Sequence, residues 1–507
     1  MKGAVAGGSE LTVEAGVQAF RLGGNAVDAV IASTLMAGVA EPLLTGLGGA
    51  GVATVRFAGS TRTCDMFANM PGLGQPSVSA KPMDQIAIDY GPTTQEFLVG
   101  KGSAAVPGLP SGLWALHNEY GSVPMEALAQ PAVDAARNGV PVTEGFARVC
   151  GLLWPILERD AKVRKLFSSG ADKLQLGDTY RSPQLADTLA EFAVGGDRYF
   201  RDGRGAASLV DHLGDESLID HVDLQAHQAQ FTDSLSASYR DARFWVPGAP
   251  STAGLVVLQA LEHIGSFEPF RDAHGVKAVE IIRNALMEAF KFRATSSARN
   301  IFTPGFIEQV LAQRRGRIGN PGRVGPGHTT HISAVDEAGN AIAITHSLGE
   351  TAGELAGDTG ILVNNFLGEA DVNPPDLPRP GGQRLLTMCC PTILETADGT
   401  VIAMGSGGSS RIPTAVLHGI VYLVDHQVNL ETAVRGPRTH IDYSSLHIES
   451  DGRSAQVLTE LKQRFPEYIQ FDGPNMFFGG LHAAGVGPDG FVGFGDVRRS
   501  GAFGKVD

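Results

Sequence analysis

The most constraining feature of the sequence is a pair of short apolar segments separated by a turn. From Thr330 to Val335 apolar and polar residues roughly alternate, which is the period of a half-buried β-strand. Residues 336–340 read Asp-Glu-Ala-Gly-Asn, and the last two residue types readily adopt positive φ in a turn. Residues 341–345 are almost all apolar, which is typical of a strand buried on both faces. The pattern predicts a β-hairpin whose first strand begins at a pair of threonines, Thr329 and Thr330.

Composition excludes several classes of partner. The 507 residues carry a formal net charge of −14 and no dense run of lysine and arginine, so neither nucleic acid nor an anionic membrane surface is expected to bind. The most apolar run, residues 26–40, contains Asp28 and is too short to span a bilayer. Four cysteines are too few for a disulfide scaffold. With no signal peptide visible at the N-terminus, we expect a cytoplasmic protein.

Two glycine-rich segments suggest ligand sites at first sight. Residues 46–51 match the dinucleotide-binding fingerprint, but a helix pattern precedes them and a strand pattern follows, which is the reverse of the required order. Residues 405–411 lead into a helix pattern and could bind an anion through backbone N–H groups, yet they lack the lysine of a phosphate loop. We therefore predict no cofactor. Residues 360–366 and 388–394 are predicted to be further strands.

Several segments, in this order along the chain, resemble the γ-glutamyltransferase family. These segments are Gly-Gly-Asn-Ala-Val-Asp-Ala at 23–29, Leu-Gly-Gly-x-Gly at 47–51, Thr-Thr-His with Ser-x-Val-Asp and Gly-Asn at 329–340, and Gly-Asp-Val-Arg-Arg-Ser-Gly at 495–501. Members of this family are N-terminal-nucleophile (Ntn) hydrolases, made as one precursor that cuts itself before a threonine. The resemblance implies an α+β fold, a four-layer αββα sandwich. It also implies a large subunit of residues 1–328 and a small subunit of residues 329–507, joined in one intertwined domain; further pairing into a homodimer is left open.

The same resemblance implies a set of catalytic residues. The processing site would be the bond between His328 and Thr329, and Thr329 would then supply both the nucleophilic hydroxyl and the α-amine that acts as its base. A hydroxyl needs such a base at neutral pH, and a terminal amine has a pKa of about 7.7–8.0. Ser347 falls where the family has a second threonine that hydrogen-bonds the nucleophile. Gly408 and Ser409 fall where two backbone amides form the oxyanion hole, although the second position is glycine in the family.

The implied substrate pocket departs from the family pattern. Ala68 stands where the family has an arginine that clamps the glutamyl α-carboxylate, and Gly349 replaces an asparagine. Phe366 replaces a glutamine that, together with an aspartate, holds the α-amine, and Glu369 stands at the aspartate's place. The remaining two positions, Thr387 and Met388, replace serines. Because each lost charge-assisted hydrogen bond costs about 1.5–3 kcal/mol, γ-glutamyl recognition is expected to be weakened.

The expected activity is therefore hydrolysis or transfer of a γ-glutamyl or related small acyl group from a small-molecule amide, through an ester on Thr329. Three alternatives stay open: an acylase for a glutaryl-type or oxamate-like amide, an inactive family member, and an α/β-hydrolase with Ser347 as nucleophile. The last is disfavoured because residues 345–349 fall one residue short of the nucleophile-elbow motif and no helix pattern follows. His328, His331 and His346 lack a carboxylate at ligand spacing, so no metal is predicted.

Overall fold

The fold was determined from a computed structural model that describes residues 1–75, 80–89, 94–270, 272–292, 328–374, 379–442 and 445–507. The described strands are β1 (Gly3–Gly7), β2 (Ala50–Phe57), β3 (Ser60–Met66), β4 (Asp84–Asp89), β5 (Thr94–Val99), β6 (Val140–Pro141), β7 (Ser168–Ser169), β8 (Asp172–Lys173), β9 (Thr179–Tyr180), β10 (Gln230–Asp233), β11 (Leu235–Tyr239), β12 (Ala242–Val246), β13 (Thr330–Asp336), β14 (Ala341–Ser347), β15 (Thr392–Glu395), β16 (Val401–Gly407), β17 (Thr439–Asp442), β18 (Ser445–Glu449), β19 (Tyr468–Phe471), β20 (Gly480–Gly487), β21 (Gly490–Phe494) and β22 (Ala502–Val506).

The described helices are α1 (Glu10–Arg21), α2 (Ala26–Ala40), α3 (Leu109–Tyr120), α4 (Met125–Asn138), α5 (Glu144–Leu157), α6 (Ala161–Leu166), α7 (Pro183–Gly195), α8 (Arg198–Arg201), α9 (Arg204–Leu213), α10 (His221–Ala226), α11 (Ala253–Gly265), α12 (Val276–Phe292), α13 (Arg411–Val424), α14 (Leu430–Arg435) and α15 (Ala455–Arg464). The helix α2 is buried on every side, as its uniformly apolar sequence predicts. Its first turn is fixed by a capping box, in which the Asn25 side chain accepts from the N–H groups of Val27 and Asp28 and the Asp28 carboxylate accepts from the Asn25 N–H.

Two large sheets organise the described part of the chain. One has the strand order β10-β3-β2-β14-β13-β1-β22, and the other has the order β11-β12-β15-β16-β20-β21. All the pairings within these two sheets are antiparallel. The predicted hairpin is β13-β14, and it lies at the centre of the first sheet, with β2 on one side and β1 on the other.

Apolar side chains between the two sheets hold them face to face. Ala4 and Ala6 from β1, Ala343 from β14 and Ala403 from β16 belong to one buried cluster, together with Trp245 from β12. Most of these side chains are small, so the sheets can approach closely over the hairpin. The outer face of the first sheet packs against α1 and α2, and the outer face of the second packs against α11 and α13. The α+β, four-layer αββα architecture implied by the resemblance is thereby confirmed.

Two of the predicted strands are wrong in whole or in part. Residues 360–366 form a loop rather than a strand, because the Asn364 side chain donates to the carbonyls of Gly48 and Ala105 and pins the segment. The strand predicted at 388–394 is shorter and begins at Thr392. It follows Pro391, which has no N–H to donate to a strand ladder.

Within the residues that the structure describes, no helix combines the length and the apolar character needed to cross a bilayer. The same residues contain no group of three or more histidine, cysteine, aspartate or glutamate side chains arranged to hold a metal ion.

Candidate active site

Thr329 lies directly before β13, at the point where the central hairpin strand begins. Its side chain is nearly buried, with 6% of its surface exposed. The Thr329 hydroxyl donates to Ser347 Oγ over 3.3 Å, and Ser347 is the last residue of β14. The two residues are neighbours because Thr330 pairs with His346 in the antiparallel hairpin. Thr329 directly precedes Thr330 and Ser347 directly follows His346, so they lie side by side at the same end of the hairpin. The hairpin itself therefore brings the two predicted hydroxyls together.

The Ser347 hydroxyl also contacts the peptide bond that precedes Thr329. It donates to the backbone carbonyl of His328 over 2.6 Å, and it accepts from the N–H of Gly349 over 2.9 Å. A hydroxyl that donates to a carbonyl oxygen stabilises negative charge on that oxygen. Ser347 is therefore placed to polarise the His328–Thr329 bond while it accepts the hydrogen bond of the Thr329 hydroxyl.

The backbone carbonyl of Thr329 contacts residues that are distant in the sequence. Arg499 Nη1 donates to this carbonyl over 3.2 Å. A Cβ atom on Gly407, the last residue of β16, would lie 2.0 Å from the same oxygen, so only glycine fits there. The preceding residue, Arg498, belongs to a buried ion cluster, in which it contacts Asp496 at 3.2 Å and Glu449 at 2.5 Å.

Thr330 is anchored separately from Thr329. Its hydroxyl donates to Glu41 Oε2 over 2.7 Å, and the Thr12 hydroxyl donates to Glu41 Oε1 over the same distance. Burial raises the pKa of Glu41, while these two hydroxyl donors and the charge of Arg499 act against the rise. Glu41 therefore fixes the side chain beside the predicted nucleophile and leaves the Thr329 hydroxyl to Ser347.

Gly408 and Ser409, the predicted oxyanion residues, lie between β16 and α13. Gly408 has φ +117° and Ser409 has φ +50°, so Ser409 adopts the left-handed conformation that glycine adopts most easily. The Ser409 hydroxyl donates to Asp371 Oδ2 over 2.8 Å, which ties the turn to the loop after residue 366. Ser409 therefore adopts a backbone conformation that costs free energy for a residue with a side chain, while its hydroxyl group stabilises the turn through the hydrogen bond to Asp371.

A cavity of about 30 Å³ opens beside the Thr329 side chain. Of the predicted residues, it is lined by His328, Thr329, Ser347, Phe366, Glu369, Thr387, Met388 and Ser409. Ala68, Gly349 and Gly408 are not among the lining residues. Ala68 is fully buried, and its carbonyl accepts from the N–H of Leu385. The neighbouring Phe67 lines the cavity instead, with its ring centroid 5.2 Å from that of Phe366.

Gly349 contributes to the site by leaving space. It has φ +69°, and a Cβ atom there would lie 2.0 Å from Glu369 Oε1 and 2.2 Å from Asn365 Oδ1. The asparagine of the family pattern could not stand at this position beside the present Glu369 side chain. The glycine therefore allows the Glu369 carboxyl group to reach toward β14.

Carboxyl groups gather on the side of the cavity near His328. Glu350 is fully buried, and its Oε1 accepts from the His328 N–H over 3.3 Å and lies 3.5 Å from His328 Nδ1. Burial, together with the charge of Asp371, raises the pKa of Glu350 to about 8. Burial likewise raises the pKa of Glu369, with an added contribution from the charge of Glu350. Burial lowers the pKa of His328 to about 3, so that its ring is neutral.

The other two histidines of the hairpin are structural. His331 hydrogen-bonds the hydroxyls of Thr345 and Ser333, at 2.7 and 2.9 Å, and His346 Nδ1 contacts the Thr45 hydroxyl. Burial lowers the pKa of both rings. The nucleophile-elbow alternative also fails on geometry, because Ser347 is followed by a loop rather than by a helix.

Sequence reasoning missed several residues of the site, among them Phe67, Glu350, Gly407 and Arg499. Glu350 was detectable in principle, since it follows directly on the predicted Gly349. Arg499 lies in the family-like segment 495–501, but its contact with Thr329 could not be foreseen, because 170 residues separate the two and only the sheet topology brings them together.

Comparison with known proteins identifies the family. The family model described as Gamma-glutamyltranspeptidase matches residues 12–506. The chain is 26% identical to "Acylase ACY 1 proenzyme" of Pseudomonas sp. (strain V22), over 96% of this chain and 90% of that protein. It is 27% identical to "Glutathione hydrolase proenzyme" of Escherichia coli (strain K12), over 96% of this chain and 89% of that protein.

A solved structure agrees with this assignment at the level of the fold. The cephalosporin acylase from Bacillus halodurans superposes with a TM-score of 0.83 at 22% identity, over 99% of this chain and 95% of that one. Both the family model and the structural match span nearly the whole chain, as the resemblance in the sequence predicts. The chain therefore belongs to the gamma-glutamyltranspeptidase family of amide-hydrolysing enzymes, which have the Ntn-hydrolase fold.

Proposed function

We propose that the protein is a self-processing Ntn amidohydrolase in which Thr329 is the nucleophile, first on its own chain and then on a small amide. The observation that carries the proposal is the contact series from the Thr329 hydroxyl to Ser347 Oγ and from Ser347 Oγ to the His328 carbonyl. This series supports the proposal because Ser347 could accept the hydrogen bond of the attacking hydroxyl and donate to the adjacent carbonyl within one hairpin.

In the first step, the Thr329 oxygen attacks the His328 carbonyl carbon. The His328–Thr329 amide is converted into an ester, the hydroxyl proton passes to the nitrogen that becomes the α-amine, and water then hydrolyses the ester. Residues 1–328 and 329–507 become the large and small subunits. Ser347 supports this step as donor to the scissile carbonyl.

In the second step, the freed α-amine of Thr329 accepts the hydroxyl proton during attack on the substrate amide. The acyl group is transferred to the Thr329 oxygen and the amine leaves with the proton. The backbone N–H groups of Gly408 and Ser409 are proposed to stabilise the oxyanion, and water or a second amine releases the acyl group. The relatives named glutathione hydrolase and acylase support an amide substrate.

Two further features of the sequence reading stay predictions. One is a cytoplasmic location, and the other is a place in glutathione metabolism. Glutathione presents a γ-glutamyl group, which the altered pocket is expected to bind weakly.

The proposal is tested by a denaturing gel of the purified protein and of a Thr329→Ala variant. We expect the parent protein to yield pieces of 328 and 507 − 328 = 179 residues, and the small piece to begin at Thr329 by N-terminal sequencing. The variant is expected to stay full length and to lose amide hydrolysis, while Thr329→Ser retains slow cleavage. Active protein with an intact His328–Thr329 bond would overturn the proposal.

A further inference from the structure

Aromatic and hydrocarbon side chains form much of the wall of the cavity beside Thr329. The rings of Phe67 and Phe366 lie 5.2 Å apart, centroid to centroid, and Val372 and Met388 add hydrocarbon surface. The described lining contains neither lysine nor arginine. A carboxylate on a bound acyl group would therefore lose its hydration without gaining a cation from this wall.

The carboxyl group of Glu369 adds a polar group but no charge to the lining. Burial raises its pKa well above the usual range of a glutamate, and the neighbouring carboxyl groups act in the same direction, so the group is protonated at neutral pH. Its Oε1 atom is shielded from solvent and directed at Gly349, where a Cβ atom would lie only 2.0 Å away. A protonated carboxyl group in this position offers no negative charge to an ammonium group on the substrate.

The other acidic residue of the described lining, Asp371, is engaged with the turn that holds the predicted oxyanion residues. Its Oδ2 atom accepts a hydrogen bond from the Ser409 hydroxyl over 2.8 Å. A protonated amine that approached this carboxyl group would compete with Ser409 and would exchange water for surroundings that are otherwise largely apolar. Neither a positive nor a negative charge on an acyl group is therefore favoured here.

The chain itself shows what kind of group fits in this cavity. In the uncut chain His328 lines the cavity, and its side chain is 1% exposed. Burial lowers the pKa of the ring to about 3, so the cavity holds a flat and uncharged ring. Release of this end of the chain after the proposed cut would vacate a ring-sized space beside Phe67 and Phe366, and aromatic side chains favour another ring or a hydrocarbon chain as their neighbour.

We propose that the mature cavity selects an uncharged acyl group with a hydrocarbon or aromatic body, such as a pentanoyl or 3-phenylpropionyl group. This inference rests on the proposed function, because it names the substrate class of the same threonine. The amide bond of such a substrate breaks as its carbonyl carbon forms an ester with the Thr329 oxygen, the amine leaves with the hydroxyl proton, and water then releases the free acid. Enzymes for γ-glutamyl groups, by contrast, accept an amine and a carboxylate, and enzymes for glutaryl groups accept a carboxylate.

The first test uses four anilides that share a five-carbon acyl chain and differ in charge. The p-nitroanilides of pentanoate, 4-aminopentanoate, glutarate and γ-linked glutamate carry no charge, the amine alone, the carboxylate alone and both. We expect the mature protein to hydrolyse the pentanoyl anilide with a kcat/KM at least about tenfold above each of the others, since each charge would be buried without a matched partner. An equal or faster reaction with any of the three charged anilides would overturn the inference.

The size of the acyl group gives a second readout. From the propionyl to the pentanoyl anilide, kcat/KM is expected to rise about fourfold with each methylene group that becomes buried. The 3-phenylpropionyl anilide should react faster still, because its ring can take the space that His328 vacates. No dependence on chain length would show that the apolar wall does not contact the acyl group, and it would contradict the inference.

Phe67→Arg is the variant that tests the wall directly. It brings a cation to the cavity, so we expect kcat/KM for the glutaryl anilide to rise at least about tenfold relative to that for the pentanoyl anilide. Phe366→Leu keeps the hydrocarbon and removes the ring, and it should retain the preference for pentanoyl over glutaryl while losing that for 3-phenylpropionyl over pentanoyl.

The control is Phe267→Arg, because Phe267 is 39% exposed and lies just after α11. This variant should keep all the preferences of the parent protein. Appearance of the 328- and 179-residue pieces shows that each variant has folded. Unchanged preferences in the cleaved Phe67→Arg and Phe366→Leu proteins would contradict the assignment of the wall.

Binding separates the failure of this inference from the failure of the proposed function. The mature protein is mixed with 3-phenylpropionamide, 4-aminopentanamide or glutaramate, and its thermal midpoint is measured. We expect 3-phenylpropionamide alone to raise the midpoint clearly. If the cut protein hydrolyses none of the anilides, the proposed function fails, while a selective shift by 3-phenylpropionamide would still support the assignment of the cavity and equal shifts would refute it.

Discussion

At the scale of single residues, the site depends on contacts that each involve only a few atoms. Ser347 has three of them, to the Thr329 hydroxyl, the His328 carbonyl and the Gly349 N–H. Its small size suits a position where β13 and β14 end side by side, and its hydroxyl can donate and accept at once. The residue is therefore the most informative one to change after Thr329 itself.

We expect Ser347→Ala to slow self-cleavage by about 10²–10³-fold, because the His328 carbonyl loses a hydrogen-bond donor in the transition state. The rate is measured by following the appearance of the 179-residue piece on denaturing gels. Ser347→Thr, which keeps the hydroxyl, is the control and should cleave at a rate closer to that of the parent. Cleavage of the alanine variant at the parent rate would show that the Ser347 donor is not used.

The buried carboxyl of Glu350 predicts a dependence of stability on pH. Its pKa is about 8 in the folded chain, because burial disfavours the charged form, and returns to about 4.3 on unfolding. Between these two values the unfolded chain has released the proton and the folded chain still holds it. This group therefore lowers the free energy of unfolding as pH rises across that window, and has no such effect below it.

The measurement compares urea midpoints of Thr329→Ala and of Thr329→Ala with Glu350→Gln, so that His328 stays in place in both. We expect the stability of the double variant relative to the single variant to increase from pH 5 to pH 8. A difference between the two that does not change with pH would mean that Glu350 is ionised throughout in the folded chain.

The residue types near Thr329 could be predicted from the sequence, but the directions in which their side chains point could not. Thr329 and Ser347 follow from the family-like hairpin, and both line the cavity. Near residue 67 the prediction chose Ala68, whereas the cavity wall is Phe67. Adjacent residues in extended chain point to opposite sides, so an alignment error of one residue exchanges a wall residue for a core residue.

At the scale of elements, β16 controls how closely the second sheet approaches Thr329. The strand ends at Gly407, where a Cβ atom would lie 2.0 Å from the Thr329 carbonyl, and it contains Gly405, where a Cβ atom would lie 2.3 Å from the His331 ring. Both positions therefore require glycine for packing against β13, independently of any turn.

We expect Gly407→Ala to reduce self-cleavage by about 100-fold, because an added methyl group displaces the Thr329 backbone, and small misplacements of reacting groups have effects of that size. The same gel assay measures it. Gly265→Ala, at the end of α11 where an added Cβ lies 3.8 Å from its nearest neighbour, is the control and should cleave normally. Normal cleavage by Gly407→Ala would show that the backbone tolerates the shift.

Elements with a clear period were predicted well, and irregular ones were not. The β13-β14 hairpin matches its prediction within two residues at each end, because alternation and turn residues agree. Residues 360–366 have apolar residues that suggested a strand, yet Asn364 uses its side chain to bond distant backbone groups. Such side-chain to backbone bonds compete with a strand ladder and leave no period in the sequence.

At the scale of the whole molecule, both sheets are built from strands on each side of the His328–Thr329 bond. In the first sheet, β13 and β14 lie between β1 and β2, and β22 pairs with β1. In the second sheet, β12 pairs with β15. These partners are far apart in the sequence, so strand order could not be inferred from periodicity, and the family resemblance implied only the four-layer architecture.

This interleaving predicts that cleavage does not separate the two pieces. We expect the 328- and 179-residue pieces to elute as one species in size-exclusion chromatography under native conditions, since separation would break strand pairs in both sheets and expose the core between them. In concentrated guanidinium chloride they should separate. Independent elution of the pieces without denaturant would contradict a single intertwined domain.

The contact between Glu350 and the His328 backbone has one more consequence, for the direction of the maturation reaction. The proposed hydrolysis at residue 328 would create a new terminal carboxylate beside the buried carboxyl groups of Glu350 and Glu369. Burial there disfavours a charged group, as the raised pKa values of both glutamates indicate, so the new carboxylate would be less stable in the place that the chain held as a neutral amide. The enclosure that aligns the bond before the proposed cut would thereby discourage re-ligation afterwards, and the cost of burying the new charge would make activation one-way.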